Sequence, residues 1–435
     1  MALDLTLVIL AGGASSRLWP LREKSLIRFG QYSLLEQQLR RFADLGFGDV
    51  VIVANPDNQA IITEIAARTP GLNIRVALQA EPKGMGDALL QTRAAVDAFG
   101  HRALYVAQVH DVVAARLHES ILAAHKAAPD TSFIAGYEIE DYFPGGYLVV
   151  AADGTIREII EKPGPQNRPS NLVNIVAHLH ADAARLLKAI EAEYAKPATS
   201  DDHYERAMAG LMAAHPFKVA PYDGYWAALK YPWHVLDIME VELNALQGQH
   251  IAESAFIAQT ASIMGDVYIG ENVKVFPGAA VVGPAYVGAG TIIGNNSLVR
   301  GAMVLENCEV GFTTEIARSY VAENCAMHAC RVLDSVFAPG VNFSAGCTSA
   351  NLRIDRGPVP SLVKGQRQDT GRTKFGAVIG EGAFLGVDVM TMPGVKIGAG
   401  AQVGPSTNVA DDVPDGARVY SKQEVVYVER ESDNP

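Results

Sequence analysis

The chain has 435 residues, a length typical of two or three domains rather than one. Apolar residues make up 49% of it and charged residues 19%, which allows buried cores and excludes a disordered protein or a coiled coil. The formal net charge of −12 argues against a nucleic-acid surface or a basic membrane patch. The apolar run 5–11 is too short for a secretory signal, and no stretch approaches the roughly 20 residues that span a bilayer. We therefore expect a soluble, cytoplasmic protein without nucleic-acid or membrane partners.

Residues 1–240 alternate short apolar runs with segments of helical spacing. Buried strands are predicted at Leu5–Leu10, Val50–Ala54, Ile74–Leu78 and Leu104–Val109, and helices at Ser33–Leu45, Gln59–Arg68 and Asp87–Ala98. This alternation predicts an α/β domain built on an open, mostly parallel sheet. A further helix is predicted over Pro232–Gln247, and residues 241–250 are predicted to connect the domain to the next one.

From residue 251 the period of the apolar residues changes to six. Aliphatic residues at this spacing are Ile251, Ile257, Ile263, Ile269, Val275, Val281, Val287, Ile293, Val299 and Leu305, and later Ile379, Leu385, Ile397, Val403 and Val409. Hexapeptide periodicity is the signature of a parallel β-helix, in which each unit forms one flat face and points its aliphatic residue inward. We expect this domain over residues 251–420, followed by a polar tail, 421–435.

The β-helix pattern is interrupted by a polar and basic segment, Asn351–Phe375. Its cationic residues are Arg353, Arg356, Lys364, Arg367, Arg372 and Lys374. The segment is either a solvated excursion or a basic arm beside a phosphate-bearing ligand, and its length favours the second interpretation. The four cysteines all lie in the C-terminal third without a Cys-x-x-Cys pair, which predicts buried free thiols rather than disulfides or a zinc site.

A glycine-rich loop, Leu10-Ala-Gly-Gly-Ala-Ser-Ser-Arg17, directly follows the first predicted strand. Gly12 and Gly13 let the backbone approach a ligand closely, so that successive N–H groups can cradle phosphate oxygens. Arg17 and Lys24 add positive charge for a polyphosphate. The loop therefore predicts a phosphate-binding site at the end of the strand.

This loop, with Trp19-Pro20, resembles the signature of the sugar-1-phosphate nucleotidyltransferase family. The resemblance continues through Gln79 to Ala88, Asp111, Gly145-Gly146-Tyr147, Glu161-Lys162-Pro163, Asn174 and the segment from Trp226 to Pro232. It implies a Rossmann-like domain in which a sugar phosphate attacks the α-phosphorus of a nucleoside triphosphate and pyrophosphate leaves. The resemblance assigns Arg17 and Lys24 to the transfer, Gly12, Gly13, Gln79 and Gly84 to the nucleotide, Gly146, Glu161 and Asn174 to the sugar, and Asp111 to Mg²⁺.

Two features of the first half depart from this family. The stretch between Arg17 and Lys24 is shorter than the family's. The family's second metal-binding Asp or Asn aligns with Ala228, and loss of a carboxylate weakens Mg²⁺ binding unless another group compensates. Whether the nucleotidyl half is active is therefore left open by the sequence.

His328 is the one histidine beyond His250, and histidine suits a general base because its ordinary pKa lies near neutral pH. The segments around it, 326–334, 341–346 and Ala350-Asn-Leu-Arg353, resemble the acetyltransferase half of the bifunctional GlmU-type enzymes in its archaeal form. This resemblance implies a left-handed β-helix that forms a homotrimer, with acetyl-CoA as co-substrate and sites between adjacent β-helices. It assigns the base to His328, the sugar phosphate to Arg300, the sugar and acetyl group to Asn342 and Asn351, and coenzyme A to Lys374.

Three functions are consistent with these residues. The first is an enzyme that makes a nucleotide sugar and N-acetylates its precursor. The second is an acyltransferase alone, which Ala228 favours. The third is a catalytically impaired subunit that binds a nucleotide sugar and regulates a related enzyme. The nucleotide base and the sugar are not determined by the sequence.

Overall fold

The computed structural model describes residues 3–196 and 202–428. It divides into two compact units, of which the first comprises Met1–Ser16 and Glu23–Lys230 and the second Arg17–Arg22 and Tyr231–Pro435. The first unit thus ends at Lys230, whereas the predicted first domain extends to residue 240. The predicted tail, 421–435, is exposed and without helix or strand as far as residue 428, and its remainder lies outside the described residues.

The first unit alternates strands and helices. Its strands are β1 (Leu5–Leu10), β2 (Arg28–Phe29), β3 (Tyr32–Ser33), β4 (Asp49–Ala54), β5 (Asn73–Leu78), β6 (Ala103–Gln108), β7 (Asp111–Val113), β8 (Ser132–Glu138), β9 (Gly146–Val150), β10 (Ile156–Glu161), β11 (Leu172–His180), β12 (Phe217–Tyr222) and β13 (Trp226–Ala228). Its helices are α1 (Leu34–Asp44), α2 (Gln59–Arg68), α3 (Gly84–Gln91), α4 (Arg93–Phe99), α5 (Ala115–Ala127), α6 (Ala183–Tyr194) and α7 (His203–Met212), with a 3₁₀ helix at Lys24–Leu26.

A nine-stranded sheet organises this unit. Its main path runs β10-β9-β11-β6-β1-β4-β5, with β8 on β11 and β12 on β8. The four strands β6, β1, β4 and β5 are parallel, as predicted, and their side chains form a buried core in which Leu7, Val8 and Ile9 are fully enclosed. The other half of the sheet is mixed, because β11 runs antiparallel to β6, β8 and β9. A separate antiparallel pair, β7 with β13, follows β6 in the chain.

The first helix shows how local sequence sets an element boundary. The Ser33 hydroxyl accepts a hydrogen bond from the Glu36 backbone N–H, and the Glu36 carboxylate accepts one from the Ser33 backbone N–H. This capping box satisfies two N–H groups that a helix start otherwise leaves without partners. The helix therefore begins where the sequence predicts it.

The second unit begins with α8 (His234–Asn244) and continues as short strands. They are β14 (Gln249–Ile251), β15 (Phe256–Ile257), β16 (Ser262–Met264), β17 (Val267–Ile269), β18 (Lys274–Val275), β19 (Ala280–Val282), β20 (Ala285–Val287), β21 (Ile292–Ile293), β22 (Leu298–Arg300), β23 (Met303–Val304), β24 (Glu309–Val310), β25 (Glu315–Ala317), β26 (Tyr320–Val321), β27 (Ala326–Met327), β28 (Arg331–Leu333), β29 (Val336–Phe337), β30 (Asn342–Phe343), β31 (Thr348–Ser349), β32 (Pro360–Val363), β33 (Gln366–Asp369), β34 (Val378–Ile379), β35 (Phe384–Leu385), β36 (Met390–Thr391), β37 (Lys396–Ile397), β38 (Gln402–Val403), β39 (Asn408–Val409) and β40 (Arg418–Val419).

These strands form a left-handed parallel β-helix with three faces. Apart from the β32–β33 hairpin and the final strand β40, which joins β38, every third strand joins the same parallel sheet, so the first face starts with β14, the second with β15 and the third with β16. One side chain per strand points inward and the stacked aliphatic residues form a continuous core. The cysteines Cys308, Cys325, Cys330 and Cys347 are free and buried, as predicted.

The period of six holds in the first coils and again in the coils after the excursion, where Ile379 aligns with Ile397 and Leu385 with Val403, but not between them. Ile251, Ile269 and Val287 align at intervals of 18 residues, but Val287 aligns with Val304 after 17. The predicted inward residue Leu305 is therefore wrong by one position, although it is buried as well. The physical reason is that this and the following coils are shortened at their corners, so a strict period of six cannot be continued through them.

The predicted excursion leaves the β-helix between β31 and β34. Ser349 and Thr391 stack in neighbouring coils although they are 42 residues apart, and the antiparallel β32–β33 hairpin lies within the additional chain.

Among the described residues, no helix has both the length and the apolar character that crossing a membrane requires.

Candidate active sites

The glycine loop is held tightly against the end of the parallel sheet. The Ala11 N–H donates to the Val53 carbonyl at 2.9 Å, and Asn58 Nδ2 donates to the Ala11 carbonyl at 3.0 Å. A Cβ added to Gly12 would lie 3.2 Å from the Ala54 carbonyl oxygen and 3.3 Å from Gln79 Oε1. A side chain at this position would crowd the Ala54 carbonyl and Gln79, which lies beside the loop, whereas the predicted approach of Gly12 to a ligand stays a prediction.

Lys24 reaches the same loop in spite of the shortened stretch before it. A Cβ on Gly13 would lie 3.6 Å from Lys24 Nζ, and the Lys24 N–H donates to Ser15 Oγ at 3.2 Å. Glu23 fixes this turn, since its carboxylate accepts hydrogen bonds from Ser15 and Ser25. The lysine ammonium thus lies beside the loop that is predicted to bind phosphate. Arg17 lies in an exposed turn of the segment 17–22, which is part of the second unit.

Gln79 and Gly84, predicted to bind the base, are directly bonded. Gln79 Nε2 donates to the Gly84 carbonyl at 3.0 Å and to Asp87 Oδ2 at 2.8 Å. Gly84 has a φ of 89°, a left-handed conformation that suits glycine, and starts α3. Asp87 was missed by the sequence reasoning. It fixes the orientation of the Gln79 amide, so the amide oxygen faces Gly12.

The three residues predicted to hold the sugar meet at one point. Glu161 pairs with Gly146 in the β10–β9 register, and a Cβ on Gly146 would lie 3.1 Å from both Glu161 Oε2 and Asn174 Oδ1. Lys162, with a φ of 47°, turns its ammonium to within 2.7 Å of Glu161 Oε1. A carboxylate, an amide and an ammonium around a bare glycine provide the donors and acceptors that a sugar hydroxyl requires.

Asp111 begins β7 and is buried. Its Oδ1 accepts a hydrogen bond from Trp226 Nε1 at 3.0 Å, and in the β7–β13 register the residue directly opposite is Ala228. Burial raises the pKa of the Asp111 carboxyl, an effect opposed by the charges of Lys230 and Lys24 and by the indole N–H. The pKa of the neighbouring His110 is far below its ordinary value, because burial and the same two ammonium groups disfavour its charged form.

These groups do not form a Mg²⁺ site by themselves. Among the described residues there is no group of three or more His, Cys, Asp and Glu side chains that could hold a metal ion. One oxygen of Asp111 is occupied by the indole N–H, the opposite position carries the methyl group of Ala228, and ammonium groups lie nearby. The donor set therefore does not fit a protein-held divalent ion, and Asp111 as a metal ligand stays a prediction.

Lys230 was missed by the sequence reasoning. Its Nζ lies 3.5 Å from the centroid of the Phe143 ring, which in turn is 4.8 Å from the Trp226 ring. Phe143 precedes Gly146 and is fixed by the Tyr147 hydroxyl, which exchanges hydrogen bonds with the Phe143 backbone. Lys230 is therefore packed against the rings of Phe143 and Trp226, the second of which holds Asp111. The available signal was its place two residues after Ala228 in the quoted Trp…Pro segment.

In the second unit, His328 lies at the corner that follows the second face. It is exposed, and a Cβ on Gly311 of the preceding coil would lie 2.6 Å from His328 Nδ1. Asn342 stacks on Ala326 in the next coil, and its Oδ1 accepts a hydrogen bond from Ser344 Oγ at 3.1 Å. His328 and Asn342 therefore lie at the same edge of the β-helix, as one site requires.

The residue after His328 has an unusual backbone conformation. Ala329 has a φ of 50°, and other coils place Gly278 and Asn296 in the same left-handed conformation. A left-handed alanine costs roughly 1–2 kcal/mol, a strain that is common beside functional side chains.

Asn351 belongs to the corner at the other end of the third face. Its Nδ2 donates to Asp334 Oδ2, and the buried Asp334 carboxylate also receives two hydrogen bonds of 2.7 Å from Arg318. Since His328 precedes β28 and Asp334 follows it, the third face separates the two groups. Arg300 lies on this face and pairs with Glu315 at 2.9 Å. One chain thus brings Asn342 to His328 but does not bring Asn351 to it.

Some of the cationic side chains predicted for the excursion form ion pairs. Arg353 is paired with Asp355, and Arg372 is paired with Asp237 and Glu240 of α8. Lys374 is exposed and pairs with Leu352 at the base of the excursion. The next N–H, that of residue 375, donates to the Asn351 carbonyl at 2.9 Å. Lys374 and Asn351 are therefore neighbours, as a shared acyl-donor site requires.

Comparison with known proteins agrees with this geometry. The nucleotidyl transferase family matches residues 6–227, and the six-repeat bacterial transferase hexapeptide family matches residues 266–301. The chain is 31% identical over 415 residues to a bifunctional sugar-1-phosphate nucleotidylyltransferase/acetyltransferase of Sulfurisphaera tokodaii, covering 93% of this chain and 97% of the relative. The chain belongs to this bifunctional family.

Other members of the family extend the likeness. The bifunctional protein GlmU of Methanocaldococcus jannaschii is 26% identical over 425 residues, 97% of this chain and 98% of the relative. The GlmU of Jannaschia sp. is 25% identical over 452 residues, with 97% and 93% covered. Because these matches span both units of the GlmU-like chain, the predicted family and fold class are confirmed.

Proposed function

We propose that the first unit joins a nucleoside triphosphate to a sugar-1-phosphate, and that the second unit transfers an acetyl group from acetyl-CoA to the amine of the precursor sugar phosphate. The likeness to bifunctional relatives over nearly the whole chain carries this proposal. The convergence of Gly12, Gln79 and Lys24 in one group, and of Glu161 and Asn174 in another, supports it. The cytoplasmic location stays a prediction.

In the first unit, positioning and charge carry the chemistry. The backbone N–H groups after Gly12 and the Lys24 ammonium hold the triphosphate, while Glu161 and Asn174 orient the sugar hydroxyls. An oxygen of the sugar phosphate attacks the α-phosphorus, the bond to the β-phosphate oxygen breaks, and pyrophosphate leaves with the bonding electrons. Relatives in this family use a divalent metal in general, and the specific use of Mg²⁺ here stays a prediction.

In the second unit, His328 acts as the general base. Its neutral imidazole takes a proton from the sugar amine as the nitrogen attacks the thioester carbonyl, and the coenzyme A sulfur then leaves and takes up a proton. Lys374, beside Asn351, is placed to meet the coenzyme A phosphates by charge-assisted hydrogen bonds. Within one chain Asn351 lies at the opposite end of the third face from His328, and in the predicted homotrimer, with sites between adjacent β-helices, a neighbouring copy would bring its own corner to His328.

One observation favours a second function. Ala228 lies directly opposite Asp111, where a second carboxylate would be needed for a metal pair. An acyltransferase with an inactive first unit would retain every contact at His328. A regulatory subunit would bind nucleotide sugar and turn over neither substrate.

Two assays decide among these functions. Pyrophosphate release is measured with four nucleoside triphosphates and a panel of sugar-1-phosphates, with Asp111→Ala as the control. Thiol release from acetyl-CoA is measured with amino-sugar phosphates, with His328→Ala as the control. Release abolished by the matched substitution establishes each activity, and no release with any pair in the first assay would overturn the nucleotidyltransferase half.

A further inference from the structure

Lys230 follows the end of β13, beside a site in which Asp111 has no second carboxylate opposite it. Ala228 occupies the position opposite Asp111, and the chain turns immediately afterwards, since the Lys230 N–H donates to the Ala228 carbonyl at 2.9 Å. The intervening Leu229 N–H donates to the His110 carbonyl at 2.9 Å. These two backbone hydrogen bonds fix Lys230 beside the residues that begin β7.

The direction of the Lys230 side chain is set by aromatic rings. Its ammonium lies 3.5 Å from the centroid of Phe143 and 5.9 Å from that of Trp226. Trp226 is the residue whose indole N–H holds Asp111 Oδ1. Contact with two aromatic faces stabilises the ammonium group in its charged form.

The electrostatic effect of this lysine reaches both neighbours on β7. Burial raises the pKa of Asp111 and lowers that of His110, while the charges of Lys230 and of Lys24, which lies beside the glycine loop, lower the pKa of both groups. Both ammonium groups therefore act on the residues at the start of β7. A phosphate group carries the opposite charge and forms charge-assisted hydrogen bonds with such groups.

We propose that Lys230 is a phosphate-binding residue. Beside Asp111, its ammonium group supplies the positive charge that a metal ion would supply at a site with a complete set of ligands. This inference rests on the proposed nucleotidyl transfer and deepens it. Together Lys24 and Lys230 hold the reacting phosphates from two sides, and the phosphates bind without a protein-held divalent ion. A metal ion that arrives with the nucleoside triphosphate is then part of the substrate.

The first test uses inorganic tripolyphosphate as the probe, because it presents the phosphates without a base or a sugar. Its affinity for the full chain is measured calorimetrically in EDTA for the wild type and for Lys230→Gln, Lys230→Arg and Lys24→Gln. We expect the two glutamine variants to weaken binding at least about tenfold and the arginine variant to stay within about threefold. Lys188→Gln, on the exposed face of α6, removes the same charge elsewhere and serves as the matched control.

A purely structural role of Lys230 gives a different result. If the lysine only holds Phe143, Lys230→Gln lowers the melting temperature while the tripolyphosphate affinity stays unchanged, and the proposal is overturned. Tripolyphosphate binding by the wild type that appears only when Mg²⁺ replaces EDTA would overturn it as well.

The second test measures metal binding directly. Paramagnetic resonance of Mn²⁺ reports bound metal without any substrate. We expect the wild type to bind no Mn²⁺ at micromolar concentrations, and the double variant Ala228→Asp with Lys230→Gln to gain a site that Asp111→Asn removes. A wild-type site that Asp111→Asn abolishes would overturn the proposal.

Turnover separates this proposal from the proposed function. Pyrophosphate release by the wild type with no effect of Lys230→Gln on tripolyphosphate affinity leaves the function standing and rejects the role of Lys230. Lys230-dependent binding of tripolyphosphate without turnover supports the role of Lys230 and rejects the transfer reaction.

Discussion

At the scale of single residues, Asp111 combines burial with charge. Its carboxylate is enclosed by β7 and β13, and burial raises its pKa although one indole N–H and two ammonium groups favour the ionised form. A folded-state pKa above the ordinary value means that the ionised carboxylate destabilises the fold at neutral pH. A side chain that reduces stability in this way is expected where function requires it.

Replacing Asp111 by asparagine separates these two effects. Asn keeps an oxygen for the Trp226 N–H and removes the buried charge, so we expect Asp111→Asn to raise the melting temperature of the first unit. We also expect pyrophosphate release to fall by on the order of 10²-fold or more, because the carboxylate predicted to contact the metal ion that accompanies the substrate is lost. Asp57→Asn, at an exposed position, is the control that changes neither. A lower melting temperature for Asp111→Asn would show that the lysines outweigh the burial.

The sequence predicts site residues best where a motif contains a close backbone approach. Gly12 with Gln79, and Gly146 with Glu161, meet as the motifs imply because in each case a Cβ on the glycine would crowd its partner. Lys230 could not be predicted in this way. Its role depends on the β7–β13 register and on the ring of Phe143, which lies far from it in the chain.

At the scale of elements, the excursion is the clearest addition to a regular architecture. Its two arms pair at Leu352 and Lys374, and the Arg372 guanidinium is held by two carboxylates of α8. The sequence predicts the presence of this segment from the loss of the period of six. Its partners could not be predicted, because ion pairs between distant segments leave no local pattern.

Shortening the excursion tests its role. Leu352 and Lys374 form an antiparallel pair, so a two-residue Asn-Gly turn can replace residues 353–373. We expect the β-helix to remain folded by circular dichroism, and the KM for acetyl-CoA to rise at least about tenfold, because the cationic arm is removed. Pyrophosphate release, which the first unit carries out, serves as the internal control. An unchanged KM would show that the arm does not contact the acyl donor.

At the scale of the whole molecule, the two units differ in their buried histidines. His178 and His180 are enclosed with the Tyr204 hydroxyl between them, and burial lowers the pKa of each to about 3. Burial also lowers the pKa of His118, bonded to Tyr105, to about 4. All three belong to the first unit.

This distribution predicts that acid unfolds the first unit before the second. Below the ordinary histidine pKa of about 6.5, the unfolded chain takes up protons at these three side chains, whereas the folded unit does not. The free energy of unfolding is therefore fully retained above pH 6.5 and falls as the pH decreases toward 4. Well below pH 6.5 each histidine contributes about 1.4 kcal/mol per pH unit. Limited proteolysis at pH 5, with the fragments identified by mass, checks this order.

A matched variant tests the assignment to these histidines. His118→Asn cannot take up the proton, so it is expected to make the first unit less sensitive to pH, even where its stability at pH 7 is lower. Cleavage at pH 5 that begins in residues 251–420 would contradict the prediction.

The shape of the first sheet shows what sequence patterns can and cannot provide on this scale. The parallel strands β6, β1, β4 and β5 are predicted by their apolar runs and the helices between them. The mixed half is not, because the buried and exposed side chains of β9 and β10 follow no regular alternation and β11 pairs with β6, which is distant in the chain. Long-range antiparallel pairing has no sequence period of its own.

The shortened coils of the β-helix have a consequence for how such sites are recognised. The hexapeptide family matches only residues 266–301, where successive coils keep their regular length. The groups around His328, Asp334 and Asn351 lie in the coils after that match, where corners lose residues and arginine and alanine adopt left-handed conformations. The regular repeat is thus lost in the coils that carry the predicted acyl-transfer residues, so we expect a break in the period to mark such a site better than the period itself.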